Sequence, residues 1–181
     1  AYVIQDDDPA RAHLLAPDDG PITALLANRQ LADGTSDNQI AADRLSRKAL
    51  RQDPTAVLAV ATLGLQAQLR GDGTRARNMF SYAEMLSRRE LQSQLWMIED
   101  SVGRGDIVGA LHHYDVALRT SSGASDVLYP VLSAAIASPV IRSSLIGTLA
   151  KRPPWGREFV NYVASSGADP HIAAALRVEM R

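Results

Sequence analysis

Cysteine is absent from the 181 residues. That removes disulfides, thiol catalysis and cysteine-ligated zinc. Aromatics are scarce, with 2 Phe, 2 Trp and 5 Tyr, although hydrophobic residues make up 46% of the chain. A sandwich or barrel would draw on Val, Ile, Tyr and Phe in its strands. Here 28 Ala and 21 Leu carry the apolar content, which favours closely packed helices. Neither charge is in excess: 19 Lys and Arg stand against 20 Asp and Glu, a net charge of -1. Without a basic surplus to meet phosphates, no nucleic acid is expected as a partner. Lysine is nearly missing, 2 beside 17 Arg, which reads as genome composition. No run of 18 apolar residues exists, so membrane insertion by this chain is not expected. Nothing resembles a signal peptide. The first residue is Ala1. That leads to the expectation of a processed or trimmed chain, with a signal or an anchor as the candidate upstream segment.

What is present is a period of 34. Arg70-Gly71-Asp72 recurs as Arg104-Gly105-Asp106. Eight residues before each Gly stands Leu63 or Met97; five after it, Ala76 or Ala110; nine after it, Phe80 or Tyr114; twelve after it, Ala83 or Ala117. Such self-similarity is the mark of a repeat architecture. Apolar residues at helical intervals run up to a Gly-Asp pair and then resume. The Gly can end one helix in a left-handed cap, and the Asp can begin the next as its N-cap. Each unit is thus an antiparallel helix pair. Gly64 and the alanines stand where helices touch, and the aromatic fills a gap toward the next unit. An earlier copy with a three-residue insertion places Leu26-Ala27 eight residues before Gly34, with Ala42, Ser46, Ala49 and Pro54 following. Ala12 and Pro17 repeat the Ala49 to Pro54 spacing, as in the second half of a truncated unit.

Leu-Gly in the first helix, Gly-Asp at the turn, Ala, aromatic and Ala in the second helix, then Pro: this pattern resembles the tetratricopeptide repeat over roughly residues 8 to 122. Arg88 stands in place of a closing Pro, and Ile98 stands in the Gly position of the third copy. The resemblance implies an all-α fold, a right-handed α-solenoid of antiparallel helix pairs with about 10 to 11 helices. An N-terminal helix and three units (20–54, 57–90 and 91–124) would be followed by degenerate helices over 125–181 in the same solenoid. Helices are expected at about 125–137, 139–150, 154–165 and 170–179, with Pro139, Pro153-Pro154 and Pro170 at helix starts. The last, with Ile172, Leu176 and Met180 on one side, suits a terminal cap. The stretch from Ser138 through Trp155 is similar to bacterial, often membrane-anchored repeat proteins of unassigned function. With the Ala1 start, that leads to an expected location on the periplasmic side of an inner membrane rather than in the cytoplasm.

No constellation for catalysis emerges. His112-His113 are adjacent on a helix, about 100° apart, and cannot chelate one metal together. His112 and Asp115 could share a face, but exposed residues of a repeat helix are the simpler expectation. His13 and His171 are isolated. Asp6-Asp7-Asp8 and Asp18-Asp19 lack the alternating ligands of a calcium loop, so Asp8 before Pro9 reads as an N-cap. The Arg-Gly-Asp copies sit at turns the repeat requires, which argues against adhesion. Glu99-Asp100 has no carboxylate placed opposite it, as glycoside hydrolysis would need. Neither a phosphate loop nor a nucleophile elbow occurs, so no enzyme, cofactor or metal is expected.

In the resembled family, positions 2, 5, 9 and 12 of each first helix commonly face a concave groove. Carried over, they are Ala24, Asn28 and Leu31; Leu58, Ala61, Leu65 and Gln68; and Gln92, Leu95, Glu99 and Val102. The resemblance therefore implies a protein-interaction scaffold that holds a peptide or partner segment through Asn28, Leu31, Leu58, Leu65, Gln68, Gln92, Leu95 and Glu99. A carboxylate clamp of the chaperone-tail kind is not expected, since only Asn28 fits one. The leucines Leu58, Leu65 and Leu95 have a second reading as internal packing of the array. The alternative function is structural self-assembly. Trp155, Phe159 and Tyr162 gather the aromatics outside the period and would form a homodimer surface.

Overall fold

A computed structural model of the chain describes residues 8–166. Asp6, Asp7, His171 and the expected cap helix over 170–179 lie outside the described residues. Within them the chain is all-α, with ten helices and no strand: α1 (Pro9–Leu15), α2 (Gly20–Ala32), α3 (Ser36–Gln52), α4 (Val57–Leu69), α5 (Gly73–Leu86), α6 (Leu91–Gly103), α7 (Ile107–Thr120), α8 (Ala124–Ala135), α9 (Pro139–Leu149) and α10 (Gly156–Ser165). The chain divides into two compact units, Ala1–Ser93 and Gln94–Arg181. The division falls inside α6, the first helix of the third pair that the period defines.

The boundaries follow from local chemistry. Asp8 Oδ1 accepts from the Arg11 N–H at 2.9 Å, and Pro9 occupies the first turn, where a missing N–H leaves nothing unbonded. Asp19, Thr35, Asp72 and Asp106 cap α2, α3, α5 and α7 in the same way. At the recurrent turns Gly71 and Gly105 take φ of +77° and +73°, a conformation that other residues adopt only under strain. The Gly71 N–H donates to Gln68 O and the Asp72 N–H to Ala67 O. Gly105 and Asp106 repeat this with Val102 and Ser101. Both turns are therefore complete Schellman motifs, and the carboxylate of each Arg-Gly-Asp copy caps the next helix.

In the N-terminal unit α1 packs on α2, α2 on α3, α4 on both α2 and α3, and α5 on α4. Alanines form its close contacts: Ala24, Ala49, Ala56 and Ala59 make one buried cluster, with Leu50 and Leu58 laid against it. Phe80 is fully buried, and its ring lies against Gly64 of its own pair. A methyl carbon placed on Gly64 would come within 2.9 Å of that ring. In the preceding pair Ala27 stands at the Gly position and Ser46 at the Phe position, and both are fully buried. The larger residue on one helix thus accompanies the smaller one on the other.

Ser46 carries a cost, because its buried Oγ has no hydrogen-bond partner. Ser46→Ala removes that unsatisfied hydroxyl, keeps the volume nearly unchanged and improves helix propensity. It is expected to raise the unfolding free energy by about 1 kcal/mol, read as a shift of the urea midpoint at constant slope.

In the C-terminal unit α7 packs on α8 and α9, and α8 on α10. Pro139 opens α9 as its spacing predicts. By contrast, α10 starts only at Gly156, with Trp155 as its N-cap residue, so Pro153-Pro154 precede the helix rather than begin it. Arg152, just before them, has a positive φ (52°), which turns the chain into that proline pair. Pro130 lies inside α8, and the helix runs through it.

Candidate functional site

Five of the groove positions meet in one hollow of the N-terminal unit. It measures about 230 Å³ and is lined by Asn28, Leu31, Ala32, Leu65, Gln68, Leu69 and Gln92. Helix spacing explains the grouping: Asn28, Leu31 and Ala32 share one face of α2, and Leu65, Gln68 and Leu69 share one face of α4. Gln92 comes from the first turn of α6. Glu90 holds that turn, its carboxylate accepting the N–H groups of Gln92 (3.0 Å) and Ser93 (2.6 Å). Asn28 Nδ2 donates to Gln92 Oε1 at 3.1 Å and to Thr62 Oγ1 at 3.3 Å. Thr62 in turn donates to Leu58 O at 2.7 Å. This chain of bonds fixes the Asn28 amide. Among the described residues, Asn28 Oδ1, Gln92 Nε2 and the Gln68 amide have no intramolecular partner. The hollow thus has leucine walls, carboxamide edges and no formal charge.

The remaining groove positions divide. Leu58 packs against the alanine cluster and borders a separate hollow with Pro21, Ala24, Leu25 and Asp53. Ala61 is fully buried, so no surface of it is left for a partner. Leu95 and Glu99 belong to the C-terminal unit, half-buried and exposed respectively. Sequence reasoning missed Ala32, Leu69 and Thr62. Thr62 carried a usable signal, as a hydroxyl in an otherwise apolar helix.

The expected self-association residues are mostly internal. Trp155 and Phe159 are buried, and Phe159 has no exposed surface. Phe159 meets Tyr129 at 5.4 Å and Trp155 at 6.0 Å between ring centroids, both edge-on. Trp155 Nε1 donates to Asp115 Oδ1 at 2.8 Å. These rings form the core of their own unit, and a dimer could use them only by opening it. Tyr162 alone of the three is partly exposed.

The histidines also resolve. His113 is buried rather than exposed, with Nδ1 3.0 Å from Gln94 Oε1, whereas His112 is exposed. Asp115, the residue that could have joined His112, instead pairs with Arg119 at 2.8 Å and accepts from Trp155. Among the described residues no three His, Asp or Glu side chains come together as metal ligands.

His13 lies 3.2 Å from Thr23 Oγ1. The Thr23 hydroxyl donates to Asp19 O at 2.8 Å, so His13 Nδ1 is the donor of this pair. Burial lowers the His13 pKa below its ordinary 6.5, the Lys48 charge lowers it further, and Asp18 opposes both. The folded state therefore favours neutral His13, while the unfolded chain binds its proton more readily. Stability from this source is present above about pH 6.5 and is lost as pH falls below it. Between pH 7.5 and 5.5 the Tm is expected to decline, and His13→Asn should flatten that decline. An unchanged slope would remove His13 as the cause.

No family model matches the chain, and no curated protein matches it. The tetratricopeptide resemblance rests on the internal period and on the turn and packing positions described above.

Proposed function

We propose that the chain is a protein-interaction scaffold, an α-solenoid of the tetratricopeptide-repeat type, and that the hollow around Asn28 and Leu65 anchors a partner segment. One observation carries this reading. Asn28, Leu31, Leu65, Gln68 and Gln92, five of the eight groove positions that the family resemblance implies, line a single hollow. Its size suits one or two aliphatic side chains. Asn28 Oδ1, Gln92 Nε2 and the Gln68 amide suit the backbone of a bound peptide, which always offers donors and acceptors. The contacts of α4 with both α2 and α3 agree with stacked pairs.

The test is retention of native partners by the immobilised chain. Leu65→Glu places an unpaired charge in the leucine wall and should reduce retention at least tenfold, with the helical circular dichroism unchanged. Gln92→Ala breaks the bond from Asn28 and should cost several-fold. Equal retention by both variants would remove the hollow as the binding site.

A further inference from the structure

A second opening lies in the C-terminal unit, apart from every position that the repeat register points to. It is an open cleft of about 680 Å³ on α8 and α10, bordered by Asp126, Tyr129, Pro130, Glu158, Asn161 and Tyr162, with serines at its margin. Its chemistry is lopsided. The charged groups on its wall are both carboxylates, and neither Lys, Arg nor His lines it.

The backbone adds to the imbalance. Pro130 sits in the interior of α8 and has no N–H to give the Asp126 carbonyl four residues earlier. Tyr129 is 4% exposed, and its single hydroxyl proton faces two acceptors, Trp155 O at 3.3 Å and Glu158 Oε2 at 3.4 Å. Both distances are long for an O–H donor; Trp155 O already accepts the Phe159 N–H at 3.0 Å, so the Glu158 carboxylate is the acceptor left poorly satisfied. Burial, followed by the Glu158 charge, pushes the Tyr129 hydroxyl up to about 12, so it stays protonated across the neutral range. The Tyr162 ring is tilted against Tyr129 at 5.6 Å and is partly exposed.

Surplus acceptors beside an accessible aromatic face call for a flat cation with several donors. A guanidinium supplies five N–H groups in a rigid fork, matches carboxylates bidentately and stacks on aromatic rings. A neutral side chain would leave the carboxylates without counter-charge, and an anion would be repelled. The cleft also exceeds the volume of one side chain, leaving room for the flanking peptide. We propose that the α8–α10 cleft binds an arginine side chain presented by a partner protein. The proposal is independent of the leucine-walled hollow.

The experiment uses the full chain labelled for NMR and titrated at low salt with N-acetyl-arginine amide. The control is N-acetyl-citrulline amide, which keeps the planar shape and lacks the charge. Saturable shifts of the Tyr129 and Tyr162 ring signals with the arginine probe, at least tenfold weaker with citrulline, are expected. Glu158 is exposed, so Glu158→Gln should leave the fold intact and weaken arginine binding about tenfold. Tyr162→Phe should keep it, and Tyr162→Leu should weaken it several-fold through the lost ring face. Equal binding of both probes, no saturable shift, or indifference to both Glu158→Gln and Tyr162→Leu would overturn the proposal.

Discussion

Phe80→Ala is expected to lower the unfolding free energy by about 3–5 kcal/mol, among the largest effects of any single truncation in the N-terminal unit. The ring is fully buried and faces the one place in its pair where the opposite helix has no side chain at all. Gly64 cannot fill the hole, and neighbouring helices cannot close it without moving their own alanine contacts. The loss should appear in urea unfolding with the slope unchanged. A second substitution makes the argument specific. Gly64→Ala alone puts its methyl within 2.9 Å of the ring and should destabilise by about 1–2 kcal/mol, overpacking outweighing the gain in helix propensity. In the Phe80→Ala background the same methyl enters the vacated space and should recover about 1 kcal/mol. The change of sign between the two backgrounds is the result to look for. Additive effects would mean that the two positions do not share one space.

Phe159→Ala should be comparably severe in the C-terminal unit, about 3–5 kcal/mol, because one ring there supports two others. Near-UV circular dichroism should lose the signal of Trp155 and Tyr129 together. The experiment also separates a core residue from an interface residue. Unfolding of a monomer does not depend on protein concentration, whereas a dimer that dissociates on unfolding shifts its midpoint with concentration. Denaturation curves of the wild-type chain and of Phe159→Ala that each coincide across a hundredfold range of concentration are expected. A wild-type midpoint that moves with concentration, together with a Phe159→Ala midpoint that does not, would return Phe159 to the surface.

Helix placement was legible because its signals are local. A Gly-Asp pair, a Pro in a first turn or an Asp before it acts within four or five residues, so α1 to α9 begin or end near their markers. The start of α10 differs from its marker for a reason of the same kind: the Gly156 N–H bonds to Pro153 O, so Pro154 and Trp155 form a turn ahead of the helix, and the residue before the prolines has a positive φ. The hollow at Asn28 was legible through the repeat register, since positions four or three apart must share a face. The aromatic cluster was not. Periodicity identifies Trp155, Phe159 and Tyr162 as exceptions, but only packing tells whether an exception lies inside or outside. Tyr129, which meets all of these elements, sits beside Pro130 in a stretch with no repeat position to mark it. His113 and Gln94 illustrate the same limit, two polar residues buried because each satisfies the other across 19 residues.

The Schellman turns at Gly71 and Gly105 have a consequence in time as well as in space. Each closes its hydrogen bonds within six residues, so the helices on either side can meet without waiting for distant sequence. Contacts that are short in sequence favour fast folding. Synthesis adds about 5–20 residues each second. The α4–α5 pair is complete in sequence at Leu86, before α7 has begun at Ile107. A nascent chain is therefore able to close this pair as it emerges, laying Phe80 against Gly64 before the later helices are made.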